Sequence, residues 1–189
     1  MDRIDNDIVS SPRNNMLKFL RFGPLVSFLL LLGGCAEIDN LAYDYVRRPS
    51  GKVAIIVDLS GQHAYLFRGG QVVLTAPVST GREGHDTPAG RYSVIEKDID
   101  HRSSIYGAYE RDGWIVKENV DVRKDPRPPG STFVGAPMPY FLRIVGGVGL
   151  HAGYLPGYPA SHGCIRMPES KAVRFYAAAH VGTPVTVTR

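Results

Sequence analysis

The distribution of apolar and polar residues predicts a domain built mainly from short β-strands. Three β-rich segments, at residues 53–58, 63–68 and 71–78, follow one another with glycine-containing turns between them. Strand-like segments joined by such tight turns are typical of β-hairpins, so together they predict an antiparallel meander. Further strand-like segments lie at residues 91–96, 104–109, 114–116, 140–145, 148–151 and 185–188.

One segment near the C-terminus, Pro168 to Ala179, has the periodicity of a helix. Pro168 suits the first helical position, and Gly182 follows the end. The predicted apolar face consists of Ala172, Val173, Tyr176 and Ala179. His180 stands where a helix C-terminus favours a cation, so we expect it to cap the helix. Many short strands with one late helix predict a single, mainly β domain, sandwich-like or barrel-like, over residues 52–189.

Composition agrees with one ordinary globular domain. The chain has 189 residues, of which 43% are hydrophobic and 21% are charged, which excludes a disordered or fibrous protein. The net charge is +4, and the basic residues are scattered without a run of Lys or Arg. We therefore expect no nucleic-acid partner.

The N-terminal residues have the pattern of a targeting signal. Arg13, Lys18 and Arg21 precede a short apolar run at residues 25–32. That run is well below the roughly 20 residues a spanning helix needs, which favours a secretory signal. The segment Leu32-Gly33-Gly34-Cys35 resembles the bacterial lipobox, in which the cysteine is acylated and becomes the first residue of the mature protein.

The lipobox resemblance divides the chain into three parts. Residues 1–34 are predicted to be a lipoprotein signal peptide, residues 35–51 a lipidated tether and residues 52–189 the catalytic domain. Acyl chains on Cys35 would hold the domain on a membrane, because each methylene buried in the bilayer contributes about 0.8 kcal/mol of binding free energy. Ala36, in place of Asp, favours a periplasm-facing location on the outer membrane. The alternative is an ordinary signal cleaved elsewhere.

Candidate chemistry is concentrated in residues 150–167, which hold two of the six histidines and one of the two cysteines. Six glycines and two prolines between Gly146 and Gly163 exclude a regular helix there. If Cys35 is lipidated, Cys164 has no partner within the chain, and an unused thiol in an oxidising compartment is a liability. A thiol near imidazoles is typical of a cysteine nucleophile with its base. The alternative is a mobile loop with a buried cysteine.

The chemistry also needs groups that orient the base and stabilise an oxyanion. No Asp or Glu lies between Asp125 and Glu169, so a backbone carbonyl would have to orient the base. Gly163 allows a sharp turn that points N–H groups at a developing oxyanion. His151 and His162 stay open as rival bases. Together with Cys164 they are also three potential zinc ligands, although no fourth is evident.

The segment Ser161-His162-Gly163-Cys164-Ile165-Arg166, with His151 upstream, resembles the signature of the L,D-transpeptidase (YkuD-type) catalytic domain. Residues 79–81, 87–92 and 182–185 resemble further landmarks of that family in their usual order. The resemblance covers about residues 52–189. It implies a β-rich fold with a cleft at one end.

The resemblance also implies roles for individual residues. Cys164 would be the nucleophile and His151 the general base and acid, oriented by the Ala152 carbonyl. The remaining members of the site would be Ser161, which braces the loop, and His162, Gly163 and the Cys164 N–H, which shape the oxyanion site. Arg166 stands where many relatives have Asn, and it would bind a substrate carboxylate or pair with a structural acid. The spacer between His151 and Ser161 is shorter than in many members.

The reaction implied is acyl transfer on peptidoglycan stem peptides, with no cofactor or metal. The Cys164 thiolate would attack the third residue of a tetrapeptide, release D-Ala, and pass the acyl group to an amine. A hydrolase of the same fold, such as an L,D-carboxypeptidase or an amidase that releases wall lipoproteins, is the alternative. A non-enzymatic peptidoglycan-binding anchor is disfavoured, because a binding module has no use for an exposed thiol. Tyr140, Tyr154 and Tyr158 are candidates to line the cleft or to pack ordinarily.

Overall fold

The computed structural model describes residues 50–189. The predicted signal peptide, Cys35 and most of the predicted tether lie outside these described residues. Within residues 50–189, no helix has the length and apolar character needed to cross a membrane. The described chain is mainly β, with twelve strands and one helix, as the sequence pattern predicts.

A five-stranded sheet forms one side of the core. Its first three strands, β1 (Val53–Asp58), β2 (His63–Arg68) and β3 (Gln71–Pro77), pair antiparallel and confirm the predicted meander. The last strand of the chain, β12 (Pro184–Thr188), lies parallel to β1, and β4 (Gly90–Ser93) completes the order β3-β2-β1-β12-β4. Strand β1 alternates between buried and half-buried positions, which is the period-two pattern of a sheet with one face on the core.

A four-stranded sheet carries the predicted chemistry. Its strands are β5 (Glu96–Asp98), β9 (Phe141–Val145), β10 (Val148–Ala152) and β11 (Ile165–Met167), in the order β11-β10-β9-β5. Strands β9 and β10 form an antiparallel hairpin, whereas β10 and β11 run parallel. The parallel pairing requires a crossover, and residues 153–164 provide it.

The third sheet has the order β7-β6-β8 and consists of β6 (Arg102–Arg111), β7 (Trp114–Asp121) and β8 (Thr132–Pro137). All pairings within it are antiparallel. It is more exposed than the other two sheets, with Trp114 78% accessible. We call it the outer sheet.

The helix α1 (Glu169–Ala178) lies one residue inside each predicted end, with Pro168 at its N-cap. Its buried face centres on Ala172 and Phe175, whereas Val173 is exposed, so the predicted apolar face was wrong at Val173. The His180 side chain does not cap the helix as predicted, since its Nδ1 lies 3.2 Å from Thr183 Oγ1. Lys97 of β5 donates from Nζ to the carbonyls of Tyr176 and Ala179, both at 2.7 Å, and so places its charge at the negative end of the helix.

Strands of the five-stranded and four-stranded sheets share one hydrophobic cluster with α1. Its largest fully buried members include Phe141, Phe175, Ile55, Leu150 and Ile165. Leu150 and Ile165 face each other across the β10–β11 pair. Burial of such side chains stabilises the fold by about 1.5–3 kcal/mol each, so the residues beside them are held on a rigid support.

Candidate active site

The β10–β11 pair brings the predicted nucleophile and base to the same face. His151 lies opposite Arg166 in the parallel register, and Cys164 directly precedes β11. Because side chains alternate along a strand, Cys164 and Arg166 point to the side on which His151 lies. Strand spacing and rise then separate the Cα atoms of His151 and Cys164 by about 8 Å, which their side chains can span.

His151 is 5% accessible and is held by its neighbour's backbone. Its Nδ1 lies 2.7 Å from the Ala152 carbonyl oxygen, the contact that the family resemblance implies. A carbonyl only accepts, so Nδ1 carries the proton and Nε2 is the basic nitrogen. Burial lowers the pKa of His151 from 6.5 to about 4, against the opposing effect of the Ala152 carbonyl, and the Arg166 cation lowers it further. The ring is therefore neutral at pH 7.

Cys164 is a free, half-buried thiol. Burial raises the pKa of its thiol, while the Gly149 backbone and then the Arg166 and Arg143 cations oppose that rise. Within residues 50–189 the sulfur makes its hydrogen bond to the Gly147 carbonyl, at 3.5 Å, and none to an imidazole. The raised pKa of Cys164 and the lowered pKa of His151 both favour the neutral thiol and imidazole over a thiolate–imidazolium pair.

The turn before the thiol is fixed by a small hydrogen-bond network. Gly163 has a φ of 116°, which a side chain would strain, so a glycine is required there. Ser161 is 1% accessible; its Oγ donates to the Cys164 carbonyl at 2.6 Å and accepts from the Gly163 N–H at 3.0 Å. Thr87 donates from Oγ1 to the Gly163 carbonyl at 2.7 Å. Ser161 and Thr87 thus tie the backbone of Gly163 and Cys164 to the rest of the loop.

The segment 79–81, which the sequence marks only as a landmark, supports the same loop through backbone hydrogen bonds. Ser79 and Arg166 exchange both backbone hydrogen bonds, at 2.9 and 3.0 Å. The Thr80 carbonyl accepts from the N–H groups of Ala160 and Ser161, each at 3.0 Å. Thr87 links the two segments, because its Oγ1 also accepts from the Gly81 N–H at 2.9 Å.

His162 is engaged on the opposite side of the loop, by the outer sheet. Its ring stacks on Tyr106, with centroids 4.0 Å apart, and meets His85 edge-on at 4.8 Å. Arg82 lies 2.8 Å from Nε2, and a guanidinium only donates, so Nε2 is an acceptor and Nδ1 carries the proton. Partial burial and then the Arg82 cation lower the pKa of His162 to about 4. Its basic nitrogen is therefore already occupied, unlike that of His151.

Arg166 is half-buried beside the thiol. Of the two roles expected for it, pairing with a structural acid is wrong for the described chain, because no carboxylate within residues 50–189 forms an ion pair with it. Its aliphatic stem lies against Gly153, where even a Cβ would approach the Arg166 Cγ to 3.1 Å. Burial lowers the pKa of the guanidinium, while the neighbouring Cys164 opposes that shift.

Of the three candidate cleft tyrosines, Tyr154 and Tyr158 are 78% and 62% accessible, so both face solvent near the loop. Tyr140 instead packs edge-on against Tyr176 of α1, with centroids 5.9 Å apart, and belongs to the core. Tyr106 and Arg82, which contact His162 directly, were missed. Their separation from His162 in sequence leaves no local signal for the contact.

His151, His162 and Cys164 do not form a metal-ligand group. Within the described residues, the side chains placed closely enough to bind a metal together are Glu96, Asp98 and His101. In this group Glu96 is paired with Arg143 at 2.6 Å, whereas Asp98 and His101 are bonded to each other at 2.9 Å.

Comparison with known proteins identifies the family. The model of the YkuD L,D-transpeptidase catalytic domain matches residues 52–187. An L,D-transpeptidase from Mycobacterium smegmatis shares the fold at 20% identity, with a TM-score of 0.56 over 73% of this chain and 59% of that one. A cysteine mutant of the Enterococcus faecium L,D-transpeptidase is 26% identical, with a TM-score of 0.51 over 74% and 50% of the two chains.

The catalytic domain of an E. faecium L,D-transpeptidase, determined by NMR, is 28% identical, with a TM-score of 0.53 over 72% of this chain and 97% of that domain. This chain thus spans nearly all of the isolated domain but only 50–59% of the two longer proteins. A comparison with curated proteins finds no match. The match over residues 52–187 shows that the chain belongs to the YkuD family of L,D-transpeptidase catalytic domains.

Proposed function

We propose that this protein is a peptidoglycan L,D-transpeptidase that uses Cys164 as its nucleophile. The observation that carries the proposal is the pairing of β10 with β11, which sets His151, whose tautomer is fixed, on the same face as Cys164, the half-buried thiol directly before β11. The donor is a stem tetrapeptide, the bond broken joins its third residue to the terminal D-Ala, and the acceptor is an amine of a second stem or of a protein.

The groups that can accept and donate a proton in the site support this reaction. Nε2 of His151 takes the thiol proton, and the thiolate attacks the carbonyl carbon of the third residue. The imidazolium then gives the proton to the nitrogen of D-Ala, which leaves as a neutral amine, and a thioester forms. The acceptor amine attacks the thioester, returns a proton to His151 and frees the thiol. Because the pKa of His151 is lowered to about 4, its free base is available at neutral pH.

The backbone before the thiol suits oxyanion binding. The Gly163 N–H is already used by Ser161, so the N–H of Cys164 is the donor we assign to the oxyanion. His162 then acts as a positioning residue through its Nδ1–H side. Arg166 contributes a cation close to the reacting centre.

The test is single-turnover acylation with a defined disaccharide-tetrapeptide, followed by intact mass. We expect the protein to gain the disaccharide-tripeptide mass and to release D-Ala. Cys164→Ala should show no adduct, and Cys164→Ser should be nearly inactive, because His151 is matched to a thiol and not to a far less acidic alcohol. Adduct formation by Cys164→Ala would refute the mechanism. Adding an amine acceptor separates transfer from hydrolysis, since a hydrolase would give free tripeptide regardless of acceptor.

We also propose that Cys35 is acylated and anchors the domain to a membrane, facing the periplasm. The lipobox-like sequence Leu32-Gly33-Gly34-Cys35 supports this. Cys35→Ser should appear in the soluble fraction with its thiol chemistry intact, whereas the wild type should partition with membranes and carry acyl mass. Membrane partition unaltered by the substitution would refute the anchor.

A further inference from the structure

The ring of His151 needs more than one hydrogen bond to keep its basic nitrogen directed at the thiol. The contact with the Ala152 carbonyl, at 2.7 Å, fixes Nδ1, but a single hydrogen bond lets the ring tilt about that contact. Such a tilt would move Nε2, the nitrogen that takes the proton, away from Cys164. A base keeps its productive geometry only where packing also locks its side chain.

Phe141 of β9 is the aromatic side chain that packs on His151. The two ring centroids are 6.1 Å apart, and the ring planes are tilted by 51°. Phe141 is 0% accessible, and Gly149 of β10 leaves room for its ring, since a Cβ there would lie 2.5 Å from Phe141 Cε2. The position of the Phe141 ring therefore limits the positions open to the ring of the base.

His101 covers the Phe141 ring from the segment between β5 and β6. The two rings are stacked, with centroids 4.2 Å apart and planes 11° from parallel. Asp98 of β5 fixes the histidine, because its Oδ2 accepts from His101 Nδ1 at 2.9 Å. Asp98 also lies opposite Phe141 in the β5–β9 register, which places both side chains on one face of the sheet. Three side chains thus form a continuous series from the edge strand to the base.

The same segment is also joined to the base through the backbone. The His101 carbonyl accepts from the Met138 N–H at 2.8 Å, and the Pro139 carbonyl accepts from the Ala152 N–H at 2.9 Å. Ala152 is the residue whose own carbonyl orients the base. His101 is therefore linked to the base by two routes, one through stacked rings and one through hydrogen-bonded backbone.

We propose that His101 is a positioning residue: through Phe141 it holds the ring of His151 in the orientation in which Nε2 can take the proton of the thiol. Asp98 supports this role by fixing the His101 ring. The inference rests on the proposed function. It assigns His101 an effect on the rate of acylation, and not on the binding of the donor peptide.

The first measurement needs no substrate. The Nδ1–H of His151 is buried and hydrogen-bonded, so its proton should exchange slowly with water and be visible by NMR. Loss of the signal in His151→Gln assigns it. We expect His101→Ala to speed this exchange by about tenfold or more, because the ring of the base gains freedom to tilt. His101→Phe should keep the exchange slow, because it retains a stacked ring on Phe141.

The second measurement is single-turnover acylation by the tetrapeptide over a range of concentrations. We expect His101→Ala to lower the limiting rate by about ten- to hundredfold, the loss that a small misplacement of a reacting group causes, with the half-saturating concentration little changed. His101→Phe should keep most of the rate. Asp98→Asn should also keep it, because the amide oxygen still accepts from Nδ1.

His63→Ala is the matched control for both measurements. His63 also forms a hydrogen bond through Nδ1 and also stacks on an aromatic ring, that of Tyr65, but it lies on β2 of the five-stranded sheet. We expect its replacement to change neither the proton exchange of His151 nor the limiting rate of acylation. Urea denaturation of each variant shows that it is folded.

The outcomes separate the proposal from the proposed function. An unchanged limiting rate or an unchanged proton exchange in His101→Ala overturns the proposal, as does a loss confined to the half-saturating concentration. Equal losses in His63→Ala, or in His101→Phe, overturn it too. If the wild type is not acylated while the exchange still depends on His101, the proposed function fails, whereas the placement of His151 by His101 stands.

A second variant keeps the test decisive if His101→Ala does not fold. Asp98→Ala retains the His101 ring and removes the hydrogen bond that fixes it. We expect a loss of about three- to tenfold in the limiting rate, as for one hydrogen bond, together with faster exchange of the His151 proton. A wild-type rate and wild-type exchange in Asp98→Ala would overturn the proposal.

Discussion

Replacing His151 should change how the stability of the domain depends on pH. The pKa of this ring falls from 6.5 to about 4 because the ring is buried, so the folded protein excludes a proton that the unfolded chain accepts. Between those two values the unfolded state binds more protons than the folded state. Stability therefore falls as the pH falls through this window, and it is fully present above pH 6.5.

The size of the effect follows from the two pKa values. The full shift corresponds to about 3 kcal/mol, and the part lost between pH 7 and pH 5 is about 2 kcal/mol. Conversion to free energy is justified because the side chain is 5% accessible. The aspartates whose pKa is lowered by their partners change the stability of the domain only below about pH 4, outside this interval.

The assay measures the free energy of unfolding in urea for the wild type and His151→Gln at pH 7, 6 and 5. The two proteins are compared by how steeply this free energy changes with pH. Gln can still donate to the Ala152 carbonyl, so the variant keeps the main polar contact. We expect the wild type to lose about 2 kcal/mol more than the variant over this range. His162→Gln is the comparison variant: the pKa of His162 is also lowered to about 4, but its ring is exposed and screened by water, so that shift should translate into a smaller loss of stability. Equal losses in wild type and His151→Gln would refute the reasoning.

Other predictions concern the two histidines, the thiol and the core. In single-turnover acylation, His151→Gln should lose about 10²–10⁴-fold in rate, and His162→Gln should lose less; the reverse order would exchange their roles. The rate at which iodoacetamide alkylates Cys164 should rise with pH, with a midpoint at a higher pH than for N-acetylcysteine, because burial raises the pKa of the thiol. A midpoint at a lower pH would indicate a preformed ion pair. Phe175→Ala should cost about 3–5 kcal/mol of unfolding free energy in urea, and a cost below 1 kcal/mol would show that the side chain is not a core element.

The sequence predicts the elements whose signal is local. The meander and α1 were predicted because alternation, glycine turns and helical spacing act over a few residues. Strand β11 was missed because it has only three residues, and β8 because Gly135 and Pro137 interrupt its pattern. Both strands form because they pair with strands that are distant in sequence, and local β-propensity does not predict such pairing.

The same limit applies to the site. The missing carboxylate predicted only that some backbone carbonyl orients the base, and the family resemblance was needed to name Ala152. Tyr106 meets His162 across the outer sheet, and Ser79 pairs with Arg166, at separations that a single sequence does not link. Whether Arg166 had an acidic partner was likewise open, because the answer depended on which carboxylates the fold brings near it.

Strand β12 occupies an interior position in the five-stranded sheet although it is the last strand made. Its partner β1 is among the first, with Ile55 opposite Val185. Until residues 184–188 are available, β1 and β4 present unpaired backbone edges, so the meander alone cannot complete the core. Closing so long a loop delays folding. A ribosome that stalls before these residues would therefore release a chain with exposed strand edges, open to proteolysis and aggregation.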